Sequence, residues 1–238
     1  MVNGMHAAAA GLAAHQAWLD ALSNDIANVS TTGYHRQRVD MRDLEYTTTA
    51  GRQVGTGAAL HQVGATQSQG ALLPGTGPLS LAISGPGYFP VRLSDGSIGL
   101  TRNGDFRLDG QGAIVLASGE RLEPPITVPA GTSPSAVAVG PDGTVTVNGE
   151  TVGKITAVDV PAPSGLLAAG DGFFVPTSAS GALITSSSRI ESGVLEGSNV
   201  DLAESMVAVI QAQRGFELSA RALRTQDQLM EIVNGIRR

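Results

Sequence analysis

Residues 23–38 read SNDIANVSTTGYHRQR, and the reading of this stretch decides the fold on both sides of it. It follows some twenty residues rich in Ala, Leu and Met, a composition that favours helix. Seven of its first ten residues are Ser, Asn, Asp or Thr, and Gly33 comes directly after them. Such side chains compete for backbone hydrogen bonds and satisfy the open carbonyls at a helix end. Glycine then tolerates the positive φ that a chain reversal needs. The stretch predicts a helix stop, a turn at Gly33 and a joint to whatever follows. It has no cysteine, one histidine and no paired acids, so it lacks the groups of a metal site or a catalytic centre.

Upstream, Met5, Leu12, Leu19 and Ile26 recur at intervals of seven, and Ala8, His15, Leu22 and Val29 form a second row. This is the spacing of a helix–helix seam, with His15 as its polar intruder. An amphipathic helix packed on its own domain has the same spacing over this length. The other end of the chain repeats the pattern. Leu202, Val209, Phe216, Leu223 and Met230 are again seven apart, with Met206 on a flanking row and Gln213 near the seam. Ser198 or Asn199 is expected to cap this helix, with Asp201 in its first turn.

Between the ends the texture changes. Thirty-one glycines and 12 prolines in 238 residues call for many turns, and most fall between Gly51 and Ser192. Short, often β-branched runs there are separated by Ser94-Asp95-Gly96-Ser97, Leu108-Asp109-Gly110, Pro141-Asp142-Gly143-Thr144 and Asn148-Gly149, each a hairpin signal. Gly85-Pro86-Gly87-Tyr88-Phe89 is echoed by Gly170-Asp171-Gly172-Phe173-Phe174. The chain is therefore expected to be α+β: a central antiparallel β-domain of short strands and hairpins, flanked by long N- and C-terminal helices that pair in a coiled-coil-like layer. The expected parts are an N-terminal heptad helix over 1–33, an extended polar connector with short strands over 34–80, the β-domain over 81–192 and a C-terminal heptad helix over 193–238.

Composition narrows the function. The net charge is −6 and Lys154 is the only lysine, a poor electrostatic match for nucleic acid or an anionic membrane. Without cysteine there is no thiolate site, cluster or disulfide. The opening MVNGMHAAAAGLAAHQAWLD has no basic start, and His6, His15 and Gln16 interrupt its apolar run, so no cleaved signal and no membrane insertion are expected. His6, His15, His35 and His61 lack metal-ligand spacing. Gly149–Lys154 is one residue short of a phosphate loop and has Ile155 where Ser or Thr should stand. Glu120 and Glu123 beside a Pro-Pro turn read as solvated loop charges, not a glycosidase pair. Arg36, Arg38 and Arg42 are interleaved with Asp40, Asp43 and Glu45, which suits a polar protein contact. No catalytic residue, cofactor or metal is expected.

Five stretches, in order, resemble one family. Residues 23–34 are similar to the N-terminal signature of bacterial flagellar rod and hook axial proteins, with Asp25 where that family usually has a second Asn. Leu81–Phe89 and Thr101–Phe106 resemble the start of its β-domain and the hairpin that follows. Gly193–Asp201 and Gln211–Glu217 resemble its C-terminal signature. Within the family the nearest resemblance is to the distal rod tier, through Gln211–Arg214 and Pro125–Pro129. The short stretch between Tyr46 and Gly55 leaves the proximal tier as the alternative.

The resemblance implies a structural subunit that leaves through the flagellar type III export apparatus and polymerises helically into a hollow, torque-transmitting tube, its β-domain outermost. Implied partners are copies of itself, adjacent proximal rod subunits, the hook protein and surrounding ring proteins. The implied location is the basal body outside the cytoplasmic membrane. The expected assembly interface comprises Met5, Leu12, Leu19, Leu22, Ile26, Leu202, Met206, Val209, Gln213, Phe216, Leu223 and Met230 on the helices. Asn28, Gly33, Tyr34, Arg36 and Arg38 at the joint complete it. Two rivals make different demands: a cell-wall carbohydrate-processing enzyme needs a cleft with paired acids, and an oligomeric β-rich binding module forms closed rings instead of filaments.

Overall fold

The computed structural model describes residues 2–49, 52–129 and 131–236. The chain divides into two compact units, one within Met1–Ala27, Gln37–Val63 and Asp201–Arg238, the other within Asn28–Arg36 and Gly64–Val200. It passes from one unit to the other at 27/28, 36/37, 63/64 and 200/201. The quoted stretch contains the first two of these passages.

The first unit holds α1 (Val2–Ala27) and α2 (Leu202–Ile236), which pack together. Three close approaches define the pairing. A Cβ on Gly4 would meet Gln226, one on Gly11 would lie 3.2 Å from Ser219 Oγ, and one on Gly215 would lie 2.3 Å from the His15 ring. Positions 4, 11 and 15 rise by seven and four while 226, 219 and 215 fall by seven and four, so the helices run antiparallel. Asp201 starts α2: its Oδ1 accepts the N–H groups of Ala203 at 2.8 Å and Glu204 at 3.0 Å. The cap is thus Asp201 itself, not Ser198 or Asn199. Asn199 is engaged elsewhere, accepting from the Arg36 amide and donating to the Ser68 carbonyl.

Strand Gln37–Asp43 pairs with Ala58–Ala65, and Thr47–Thr49 pairs antiparallel with Arg52–Val54. Gly57, at φ +115°, passes so close to α1 that a Cβ would sit 2.9 Å from the Ala10 methyl. The buried Asp25 near the end of α1 accepts the Gln37 amide at 3.1 Å.

The second unit carries a seven-stranded antiparallel sheet. Its spatial order is Leu167–Gly170, Phe173–Val175, Ile98–Thr101, Phe89–Arg92, Arg121–Leu122, Ile114–Leu116 and Phe106–Leu108. A three-stranded antiparallel sheet, Val137–Val139, Thr144–Val147 and Glu150–Lys154, contributes Val137, Val145 and Val147 to the same core as Leu81, Phe89, Ile114 and Leu122. The predicted turns lie where hairpins close. Asn148 and Gly149 both have positive φ, +49° and +91°, the conformation that the two-residue hairpin between Thr144–Val147 and Glu150–Lys154 requires. The two glycine–aromatic echoes flank one strand: Phe89 and Phe173 both register on Thr101, from opposite sides. The chain is α+β, with many antiparallel strands and two terminal helices packed on each other.

Candidate functional site

Two regions gather the residues singled out from the sequence, and each is built from segments distant in the chain. The first is the helical pair. On α1, Leu22 is buried, while Met5, Leu12, Leu19 and Ile26 are half-buried. On α2, Val209, Phe216, Leu223 and Met230 are half-buried, and Leu202, Met206 and Gln213 are exposed. The most buried positions on α2 are Ser205 and Ala212, seven apart. Ser219 and Gln226 continue that row against Gly11 and Gly4. Small residues therefore run down the centre of the α1 contact on α2 and let the two backbones approach, with the large apolar side chains to one flank. The readable signal was the seven-residue spacing of Gly4 and Gly11 and of Ser205, Ala212 and Ser219.

The other side of α2 carries exposed apolar side chains near the two ends of the helix, with the exposed Arg214, Glu217, Arg221 and Gln228 between them. At about 100° per residue, Met206, Ile210 and Ile232 point away from Ala212 and Ser219. They are 56%, 49% and 59% exposed. Val207, Leu218 and Leu229 extend this surface. The exposed cluster of Met206, Val207 and Ile210 near the start of α2 is the kind of apolar surface that marks an interaction site. The same unit has a cavity of about 230 Å³ lined by Trp18, Val39, Asp40, Met41 and Leu60, mostly apolar in its walls.

The second region is the joint, within the other unit. Gly33, at φ +69°, donates its N–H to the Glu196 carbonyl at 2.7 Å. The Asn199 amide donates to the Tyr34 carbonyl, the Arg36 amide to Asn199 Oδ1 and the Thr66 amide to the Arg36 carbonyl. Residues 33–36 are thereby held between residues 66–70 and 196–199 by backbone bonds. Asn28 accepts from Thr31 through both its carbonyl and its side chain, closing the turn before Gly33. Arg38 belongs to the other unit. It pairs with Asp40 at 3.1 Å with both side chains exposed, an arrangement that adds little stability.

At the centre of the joint lies a charge cluster that sequence reasoning missed. Glu196 is fully buried. Its Oε1 accepts from His35 Nε2 at 2.9 Å and from the Gly70 amide at 3.1 Å, and its Oε2 accepts from Arg102 Nη1 at 3.1 Å. Arg102 also donates to the Gly85 carbonyl and lies over the Tyr88 ring, 5.4 Å from its centroid. Burial disfavours the Glu196 charge, but the hydrogen bond from His35 and the charge of Arg102 outweigh it and hold the carboxyl below its ordinary value. Each of the three residues sits inside a stretch quoted above, flanked by glycine. Their mutual contact is a tertiary fact that no local pattern encodes.

Among the described residues no group of three or more His, Cys, Asp or Glu side chains could hold a metal ion, and no helix is long and apolar enough to cross a membrane. The geometry is that of a surface and a clasp.

Comparison with known proteins gives this surface a context. The family model described as "Flagella basal body rod protein" matches residues 5–35. "Flagellar hook protein FlgE/F/G D1 domain" matches residues 82–147 and "Flagellar basal body rod FlgEFG protein C-terminal" matches residues 191–236. The flagellar basal-body rod protein FlgG of Buchnera aphidicola subsp. Schizaphis graminum is 33% identical over 259 residues, 97% of this chain and 98% of the relative. FlgG of Caulobacter vibrioides is 33% identical over 261 residues, 99% and 100% of the two chains. FlgF of Salmonella typhimurium is 29% identical over 223 residues, covering 87% of this chain and 86% of its own.

Proposed function

Because this chain belongs to the flagellar basal-body rod protein family, we propose that it is a structural subunit of the bacterial flagellar rod that carries torque from motor to hook. The observation that carries this reading is the end-to-end match to FlgG, which spans both helices and the β-domain. It favours the distal tier. The shorter match to FlgF is the ground for the second reading, a proximal rod subunit. The role is mechanical and needs no catalytic group.

The exposed apolar side chains of α2 and the apolar cavity at Trp18 supply the physical basis for polymerisation. Copies of the chain dock by covering Met206, Ile210 and Ile232, a heterologous contact that repeats along an open helix without closing. The half-buried row Val209, Phe216, Leu223 and Met230 flanks the contact with α1, and the antiparallel helices act together as a coiled-coil-like layer. Segments 1–33 and 193–238 serve as the polymerising ends, 34–80 as the connector and 81–192 as the domain that meets neighbouring subunits. Tyr34, Arg36 and Arg38 face such a neighbour. Proximal rod subunits, the hook protein, ring proteins and the type III export apparatus are the further partners of this reading. Its setting is the basal body, in the cell-wall space outside the cytoplasmic membrane.

The test is complementation of a strain lacking its own copy. Charged substitutions at Val209, Phe216 and Leu223 should abolish rod assembly and motility while the β-domain keeps its circular dichroism. Normal motility with these variants would remove the reading.

A further inference from the structure

The His35 ring shows which protons it carries. Nδ1 lies 2.9 Å from the Thr66 carbonyl oxygen, which can only accept, so Nδ1 bears a hydrogen. Nε2 lies 2.9 Å from Glu196 Oε1. That carboxylate already accepts from the Gly70 amide and from Arg102, so it too is an acceptor, and Nε2 also bears a hydrogen. A ring with both nitrogens protonated is an imidazolium. His35 is 3% exposed and Glu196 0%, so this charge pair lies out of water's reach.

We propose that His35 is a proton-gated clasp: charged, it holds residues 33–36 against the 66–70 and 196–199 segments, and on losing its second proton it lets them go. Whichever nitrogen is stripped, a lone pair then faces either the Thr66 carbonyl or the Glu196 carboxylate at hydrogen-bond distance. An acceptor left facing an acceptor in a buried site is costly. The groups facing the cluster are already bonded, apart from the buried Nε of Arg102, which has no partner. Glu196 approaches from strand Val194–Glu196, and Arg102, just beyond strand Ile98–Thr101, is engaged with Glu196 and the Gly85 carbonyl. Tyr88 lies under Arg102 and donates its hydroxyl to Gln67. Residues 66–70 bring backbone groups alone to His35 and Glu196.

The sign of the pH effect follows. The docked segment requires two protons on the ring and the released segment does not, so rising pH favours release. The device also ties the two ends of the chain together. His35 comes from the N-terminal segment and Glu196 from the C-terminal one, 161 residues apart. Removing either would leave the other's hydrogen bond unmade in a buried site, so the two segments dock and release as one.

The experiment uses the full chain labelled with ¹⁵N-histidine, the His35 signals being identified with H35Q. At neutral pH both His35 ring nitrogens should show attached protons. As pH is raised into alkali, exchange of the Gly33 amide should accelerate about tenfold beyond the intrinsic effect of pH, while amides of the Ile98–Thr101 strand stay protected. H35Q should lack that step and retain the thermal transition of the β-domain. One bare ring nitrogen at neutral pH, or Gly33 protection that is unchanged in alkali, overturns the proposal. The wild-type titration decides it even if H35Q does not fold.

Discussion

Glu196 meets His35 at 2.9 Å across 161 residues of sequence, and both side chains are buried. The contact joins the segment that follows the N-terminal helix to the segment that precedes the C-terminal one.

Acid should loosen this joint through Glu196. Its folded value is depressed, so the stability it contributes is fully present above the ordinary glutamate range and is lost as pH falls through the folded value. Thermal melting followed from neutral pH into acid should show a falling Tm in the native chain. E196Q should start lower, by several kcal/mol because Arg102 keeps a buried charge whose partner is gone, and should fall less steeply. Parallel pH profiles for the two proteins would show that the carboxylate is not what titrates.

Gly33→Ala should destabilise the second unit by about 2 kcal/mol or more. The residue sits at φ +69°, and an added Cβ would lie 2.4 Å from the Asn103 backbone nitrogen, which no rotamer can relieve. Denaturant titration checks this, and a change below about 0.5 kcal/mol would mean the turn can relax.

Ala212→Leu tests the small-residue centre of the helical pair. Ala212 is fully buried, so a larger side chain must push α1 and α2 apart, at a cost of about 1–3 kcal/mol. Helical ellipticity at 222 nm should melt earlier, whereas the same change at the exposed Gln213 should be nearly silent.

Much of this architecture is legible in the residues. Asn148-Gly149 encodes its hairpin because few other pairs accept two positive φ angles in succession. The echo Tyr88-Phe89 and Phe173-Phe174 marks two strands that flank a third. Both terminal helices can be read from their periodicity. The centre of their contact is harder to read, because heptad analysis gives weight to bulk. It selects Val209, Phe216 and Leu223, whereas the most buried positions on α2 are Ser205 and Ala212. Asp201 displaces Ser198 and Asn199 as the cap because Asn199 is committed to Arg36 and Ser68, residues more than 130 positions away. The His35–Glu196–Arg102 cluster is invisible for the same reason: each charge looks solvated until the fold buries all three together.

The central claim is that the exposed apolar cluster around Met206 on α2 becomes an interface between subunits. The chain has no cysteine, so M206C would carry the only thiol and report on that face alone. In the monomer, where Met206 is 56% exposed, a maleimide should label it rapidly. In basal bodies isolated from a strain assembled with this variant, labelling should fall at least about tenfold as neighbouring subunits cover the face. Equal labelling in monomer and basal body would contradict the account.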